Sequence, residues 1–158
     1  MTSTVADPMT STDRIEKKVV LRAPIDRVWR AISDSKQFGE WFRVKLEAPF
    51  AEGKKVKGKI TIPNYEHLQF EMEIERIQPQ NYFSYRWHPY AIDPKTDYSK
   101  EPTTLVEFEL ETVKDGTALT ITESGFDKIP ASRRAEAFRS NDNGWTGQAK
   151  QIAADVEK

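Results

Sequence analysis

The stretch LQFEMEIE, residues 68–75, decides the fold, because apolar and polar residues alternate through it without a break. Leu68, Phe70, Met72 and Ile74 are apolar, and every residue between them is Gln or Glu. Successive side chains of a strand point to opposite sides, so this strand has one packed face and one face in water. Such strands are typical of an antiparallel sheet that is covered on one side only.

The same alternation recurs along most of the chain. It predicts a first strand over residues 14–22 and later strands at 42–46, 56–62, 82–88, 106–111 and around 119–121. Asp115-Gly116 is a hairpin signal between the last two strands. The strands follow one another along the chain, which indicates hairpin connections within a single sheet.

Two short helices are predicted between the first strand and the rest. Pro24 suits the first position of a helix, since its missing N–H would have had no partner there. An apolar helical face follows, formed by Ile25, Val28, Trp29 and Ile32. Asp34 is expected to cap a second helix over residues 35–38, and Gly39 is expected to end it.

Residues 130–156 favour one long helix with an apolar stripe formed by Trp145, Gln148, Ala149, Ile152 and Val156. The run Ser-Asn-Asp-Asn-Gly at residues 140–144 has low helix propensity and leaves a kink or break open as an alternative. If continuous, this helix would be about 40 Å long and would cross the whole sheet.

The predicted order is therefore β-α-α-β-β-β-β-β-β-α. It describes an α+β domain in which a curved antiparallel sheet of about six to seven strands wraps around a long C-terminal helix. Residues 14–158 would form this single domain, and residues 1–13, rich in Ser and Thr, a disordered N-terminal tail. Because a bent sheet cannot close completely on one helix, we expect a residual apolar cavity between them.

Composition excludes several classes of function. In 158 residues, 24 Lys and Arg balance 25 Asp and Glu for a formal net charge of −1, which leaves no electrostatic footprint for nucleic acid or an anionic membrane. The absence of cysteine excludes disulfides, thiolate metal sites and thiol catalysis. No apolar run approaches the roughly 20 residues of a membrane helix, and the N-terminal residues lack the pattern of a secretory signal. We therefore expect a cytoplasmic protein with neither nucleic acid nor membrane as a partner.

Two stretches resemble a known family. APIDRVWRAISD at residues 23–34, followed by Phe38, Trp41 and Phe42, is similar to the opening of START-like (SRPBCC) proteins. LTITESGF at residues 119–126, followed by Arg133-Arg134 and by Asn-Gly-Trp at residues 143–145, resembles the close of one branch of that superfamily. This branch is named after the activator of the heat-shock-chaperone ATPase.

The resemblance covers about residues 14–156 and implies a helix-grip fold with a hydrophobic ligand cavity. Members of the superfamily bind lipids, polyketides or plant hormones, and some catalyse cyclisation or hydrolysis. A small apolar or aromatic molecule is thus the implied partner, and a chaperone protein, with a role in the stress response, is the alternative. The resemblance implies no cofactor.

Residues expected on the covered faces of the strands and the long helix are the candidates for a cavity lining or rim. They are Trp41, Phe70, Met72, Tyr85, Trp87, Phe108, Ile121, Glu123, Phe126, Trp145, Gln148 and Ile152. The aromatic members would line a pocket for a flat or apolar ligand, or else they simply fill the core.

Glu123 differs from the other candidates because it carries a charge. It continues the alternation of Leu119 and Ile121, so it should point to the covered face. A carboxylate there is costly unless paired or hydrogen-bonded, and its pKa tends to rise. It could anchor a polar group of a ligand or act as an acid or base. Alternatively, it bonds the neighbouring backbone, Arg133 or Arg134.

A long loop and two histidines complete the candidates. Residues 89–102 exceed the usual hairpin connection of about two to five residues, so they form either a rim or lid over the cavity or a floppy loop. His67 and His88 are the only histidines, and no three- or four-ligand pattern surrounds them, so no metal site is predicted.

Three functions stay open on these grounds. One-sided strands and an aromatic covering helix favour binding of a small apolar molecule. A co-chaperone-like protein-binding module rests on the resemblance alone. An enzyme would use Glu123 together with a Tyr or His at the cavity, but none of these is a convincing second titratable partner, so no catalytic residue is assigned.

Overall fold

The structure is a computed structural model of the chain that describes residues 13–93 and 95–158. Residues 1–12 of the predicted N-terminal tail lie outside the described residues. The strands are β1 (Arg14–Leu21), β2 (Val44–Leu46), β3 (Lys55–Ile60), β4 (Gln69–Gln78), β5 (Tyr82–Trp87), β6 (Thr104–Val113) and β7 (Gly116–Ser124). The helices are α1 (Ile25–Ser33), α2 (Ser35–Phe42) and α3 (Ala131–Val156), with a short 3-10 helix at Phe126–Lys128.

All seven strands form one sheet in the order β1-β7-β6-β5-β4-β3-β2, and every neighbouring pair is antiparallel. The first strand pairs along its whole length with the last, from Arg14 opposite Ser124 to Leu21 opposite Thr117. Among the described residues, β1 and β2 are the edge strands, and the exposed Lys18 on β1 suits an edge. The predicted α+β, helix-grip architecture is confirmed.

The alternation along the strands matches their burial. On β4, Phe70, Met72 and Ile74 are buried, whereas Glu71 and Glu73 are exposed. The long helix α3 covers the packed face with its own buried residues, which are Ala137, Trp145, Ile152 and Val156. One face of the sheet therefore packs against the helix, and the other is in water.

The two short helices begin close to where the sequence predicts. Pro24 is the N-cap of α1 rather than its first residue, and the helix starts at Ile25. Asp34 caps α2 as expected, because its carboxylate accepts a hydrogen bond of 3.0 Å from the backbone N–H of Lys36. Both starts follow from local chemistry alone.

The expected end of α2 at Gly39 is wrong. The helix continues to Phe42 and ends where Arg43 takes a left-handed φ of 68°. Gly39 is buried, and a side chain there would collide with the carbonyl oxygen of Val44. The absence of a side chain at Gly39 thus permits the close approach of β2 to α2. Phe42 belongs to the helix rather than to a strand.

The helix α3 is a single element of 26 residues, so residues 140–144 do not break it. Gly144 and Gly147 are exposed, and no atom beyond the adjacent residues and the local helix backbone lies within 4 Å of where their side chains would be. Trp145, by contrast, is only 2% exposed. Packing of this tryptophan onto the sheet overrides the low propensity of the residues around it.

Candidate functional site

Glu123 lies on β7 with its side chain fully buried, at 0% exposure. It faces the covered side of the sheet, as its alternation with Ile121 predicts. Among the buried residues of the described chain, it is the one charged side chain. Any charged chemistry in the interior of the described chain therefore centres on this carboxylate.

Four neutral side chains donate hydrogen bonds to the Glu123 carboxylate. Its Oε2 accepts from Nε1 of Trp87 at 2.7 Å and from the hydroxyl of Thr104 at 2.6 Å. Its Oε1 accepts from Nε1 of Trp145 at 2.8 Å, and the amide of Asn141 lies 3.0 and 3.1 Å from the two oxygens. Because the donors come from β5, β6 and α3, the carboxylate ties the sheet to its covering helix.

Pairing of Glu123 with Arg133 or Arg134 is not what the structure shows. Arg133 forms an ion pair of 2.7 Å with Glu101, and Arg134 donates to the carbonyl oxygen of Ile129 at 3.1 Å. None of the ion pairs found within residues 13–93 and 95–158 involves Glu123. The carboxylate is therefore stabilised by neutral donors without a cation.

Burial raises the pKa of the Glu123 carboxyl above its ordinary value, because removal from water disfavours the charged form. The hydrogen bonds from Thr104, Trp87, Trp145 and Asn141 lower the pKa without cancelling the effect of burial. The group is thus closer to its neutral form than a surface glutamate. Its use as an acid or base by an enzyme stays a prediction.

Aromatic rings fill the space around this carboxylate. The ring centre of Trp87 lies 5.2 Å from that of Tyr85, 5.7 Å from Phe70 and 5.8 Å from Trp145. From Trp145 the ring contacts continue to Phe108 at 5.9 Å and from Phe108 to Trp41 on α2 at 6.4 Å. The aromatic cluster, as we name it, consists of Trp41, Phe42, Phe70, Tyr85, Trp87, Phe108 and Trp145.

Aromatic rings in contact with one another occupy the region between the sheet and α3 where a cavity is expected. Two hollows of the described chain open on the outside of the fold. One is an open groove of about 580 Å³ over β1, β7 and β6, and the other, of about 520 Å³, lies beside α1 and α2. A molecule that entered the interior would have to displace an aromatic side chain.

The hydroxyl of Tyr85 is buried and has no hydrogen-bond partner among the described residues. Burial raises the pKa of Tyr85 well above its ordinary value, and the charge of Glu123 adds to the rise, so the side chain is a neutral phenol. The Oε1 atom of Gln148 on α3 is also buried without a partner. Each such group costs about 1–3 kcal/mol, and a polar atom of a bound molecule could remove that cost.

The long loop between β5 and β6 is fastened to the start of α3 by Arg133. This side chain donates to Glu101 at 2.7 and 2.9 Å and to the carbonyl oxygens of Pro89 and Tyr90 at 2.8 and 3.2 Å. Its guanidinium also lies 4.7 Å from the ring centre of Tyr98. The loop joins two strands that each carry a donor to the buried carboxylate, which favours the predicted rim.

Seven of the predicted lining residues come together, namely Trp41, Phe70, Tyr85, Trp87, Phe108, Glu123 and Trp145. Met72, Ile121 and Ile152 are fully buried core residues. Gln148 is half-buried and donates to the carbonyl oxygen of Phe42 at 3.4 Å. Phe126 lies outside the aromatic cluster and packs against Phe138, with ring centres 5.1 Å apart.

Two partners of Glu123 escape prediction from the sequence. Asn141 lies one helical turn before Trp145, so the two share a face of α3, and this spacing is a usable signal. Thr104 offers no such signal, because its position opposite Trp87 depends on the register of β5 and β6.

The described residues include no group of three or more His, Cys, Asp or Glu placed to hold a metal ion. The ring of His88 instead has its Nε2 3.1 Å from the carbonyl oxygen of Glu101. Across residues 13–93 and 95–158, no helix is both long and apolar enough to cross a membrane.

A seven-stranded antiparallel sheet that grips a terminal helix defines the chain as a START-like protein of the helix-grip class. The family model described as activator of Hsp90 ATPase homolog 1-like protein matches residues 22–157. The chain therefore belongs to this family, and the resemblance seen in its sequence is confirmed. A search of curated proteins found no match.

Solved structures of similar fold come from several bacteria. Protein MLL2253 from Mesorhizobium loti is 22% identical with a TM-score of 0.71, and the match covers 90% of this chain and 96% of that one. Protein CV1439 from Chromobacterium violaceum is 23% identical with a TM-score of 0.71, over 94% and 99% of the two chains. The Aha1 dimer from Colwellia psychrerythraea is 14% identical with a TM-score of 0.67, over 91% and 96%. At these identities the similarity shows the fold alone.

Proposed function

We propose that this chain binds a small, flat and largely apolar molecule between its sheet and α3, beside Glu123. The proposal is carried by the buried carboxylate, which is held by four neutral donors inside the aromatic cluster. Burial of a charge without a cation costs stability, and groups with perturbed ionisation concentrate at functional sites. Membership of a START-like family supports the same interpretation.

The ligand would take the space that the Trp87 indole occupies. Trp87 is half-buried, whereas Tyr85 and Trp145 beside it are buried, so its side chain can turn outward with the least disturbance. The space left behind would be bounded by the rings of Phe42, Phe70, Tyr85 and Trp145. A two-ring molecule with an N–H group would replace both these ring contacts and the hydrogen bond to the carboxylate.

Indole is the probe that tests this proposal, because it reproduces the displaced side chain and dissolves to millimolar concentration. In a titration followed by ¹H–¹⁵N NMR, we expect the indole N–H signals of Trp87 and Trp145 to shift and saturate. The variant Trp87→Ala should bind indole more tightly, since no side chain has to be displaced. Trp29→Ala is the matched control, because Trp29 lies on α1 outside the aromatic cluster, and its affinity should equal that of the wild type.

Binding by Trp87→Ala alone would not support the proposal, because any cavity left by a deleted indole can accept indole. The wild type has to bind as well, with shifts centred on the same two signals. If the wild type shows no saturable shift with millimolar indole, we would abandon the site. If the wild type does bind indole, native mass spectrometry and thermal-shift screening against lipids and aromatic metabolites would identify the natural ligand class.

A co-chaperone-like role is the second candidate, and the family description favours it. In this role the chain would bind a heat-shock chaperone and stimulate its ATPase. The assay is chaperone ATPase activity with and without the chain, at several ratios of the two proteins. Unchanged ATPase activity at every ratio would remove this candidate.

A further inference from the structure

We infer that the ligand of this site is an uncharged molecule with a hydrogen-bond acceptor, such as a carbonyl oxygen, to which the hydroxyl of Tyr85 donates. This inference rests on the proposed binding of a small molecule and deepens it by naming the class of ligand. It makes Tyr85 a residue that determines specificity.

The first support is the position of the Tyr85 hydroxyl. It is fully buried, lacks a partner among the described residues and belongs to the ring set that surrounds Trp87. Trp87, whose ring centre lies 5.2 Å from that of Tyr85, donates to Glu123 at 2.7 Å, so a molecule in the place of the Trp87 indole would lie beside both Tyr85 and the carboxylate. A neutral phenol donates well to a carbonyl oxygen, whereas a donor on the ligand would be accepted by the carboxylate.

The second support is the charge of the interior. Glu123 is the one charged side chain among the buried residues of the described chain, so no buried Lys or Arg there could neutralise an anion. A carboxylate or phosphate on the ligand would be a buried charge without a cation, and any negative charge on Glu123 would add repulsion, so an anion is strongly disfavoured there. Fatty acids and phosphorylated metabolites are therefore excluded from this class.

The size of the effect follows from the hydrogen bond alone. One neutral hydrogen bond formed inside a protein changes an equilibrium by about 5- to 10-fold. A carbonyl-bearing ligand should lose this factor when the hydroxyl is removed. A ligand without a carbonyl should not, because Tyr85→Phe deletes an atom that it never contacts.

The test compares oxindole and indole-3-carboxaldehyde, which carry a carbonyl at two ring positions, with indole, which has none. Affinities for the wild type and for Tyr85→Phe are measured by NMR titration, and indole-3-carboxylate serves as the anionic analogue. We expect Tyr85→Phe to weaken at least one carbonyl compound about 5- to 10-fold and to leave indole unchanged. The anion should bind at least 10-fold more weakly than the aldehyde.

The outcomes separate the two proposals. If indole binds but Tyr85→Phe changes all affinities by the same factor, binding at the site stands and the role of Tyr85 is wrong. If the carboxylate binds as tightly as the aldehyde, the exclusion of anions is wrong. If neither indole nor a carbonyl compound binds the wild type, the proposed function and this inference fall together.

Discussion

Replacement of Glu123 tests how much stability the buried carboxylate contributes. In Glu123→Ala the hydroxyl of Thr104 and the indole N–H of Trp145, both buried, lose their acceptor. Each orphaned donor costs about 1–3 kcal/mol. Trp87 and Asn141 are half-buried, and we expect water to replace the lost hydrogen bond at their N–H groups. Part of the loss is offset because no carboxylate remains to be desolvated, so we expect a net loss of about 2–4 kcal/mol.

Glu123→Gln is the more precise variant, because it keeps the shape of the side chain. Its amide oxygen can still accept from Trp145 and Asn141, while its NH₂ group would face Trp87 and Thr104. The threonine hydroxyl can rotate to accept from the amide, but the indole N–H can only donate. One lost hydrogen bond predicts a decrease in stability of about 1 kcal/mol.

Urea unfolding at pH 7, followed by far-UV circular dichroism, measures both changes on one scale. The expected order of unfolding free energies is wild type, then Glu123→Gln, then Glu123→Ala. An alanine variant as stable as the wild type would mean that desolvation of the carboxylate outweighs its four donors. The account of Glu123 as the tie between sheet and helix would then be refuted.

The remaining predictions concern pH, the long helix and the loop. Burial raises the folded-state pKa of Glu123, so its contribution to stability is present at low pH and is lost as pH rises through that pKa. The advantage of the wild type over Glu123→Gln in urea should thus be larger at pH 4 than at pH 7, and an equal advantage would contradict the raised pKa. Gly144→Ala should raise the unfolding free energy by about 1 kcal/mol, because alanine has the higher helix propensity and nothing obstructs its methyl group at this position. Gly39→Ala should lower the unfolding free energy, because the new side chain would collide with the carbonyl oxygen of Val44. Thermal denaturation of the two glycine variants measures these opposite changes. Arg133→Met should speed tryptic cleavage in residues 95–100, because Arg133 no longer holds the loop. Arg134→Met is the control, since Arg134 bonds Ile129 and no loop residue, and it should not change the cleavage rate. Equal cleavage rates for the two variants would show that Arg133 does not hold the loop.

Most strands could be predicted because their signal is local. A period of two in apolar residues needs no knowledge of distant parts of the chain, and it also placed Glu123 on the covered face. Gly39 shows where this reasoning stops. Glycine commonly ends a helix, but here it serves an approach of β2 that only the three-dimensional arrangement reveals.

The hydrogen bonds that Trp87 and Thr104 donate to Glu123 could not be predicted for the same reason. Trp87 on β5 and Thr104 on β6 are distant in sequence from Glu123 on β7. They reach the carboxylate because of the register between these strands, which is fixed by packing rather than by a local pattern. The filling of the expected cavity depends on how seven rings interlock. Composition counts those rings, but it does not determine whether they leave space.

The two tryptophans that donate to Glu123 give the molecule a built-in optical reporter. Indole emission depends on the polarity around the ring and on the bond made by its N–H, and both rings share one carboxylate, with centres 5.8 Å apart. Any event that lifts α3, turns Trp87 outward or protonates the carboxylate should therefore change the emission spectrum. The state of the interior can be followed in solution by fluorescence, without an attached dye.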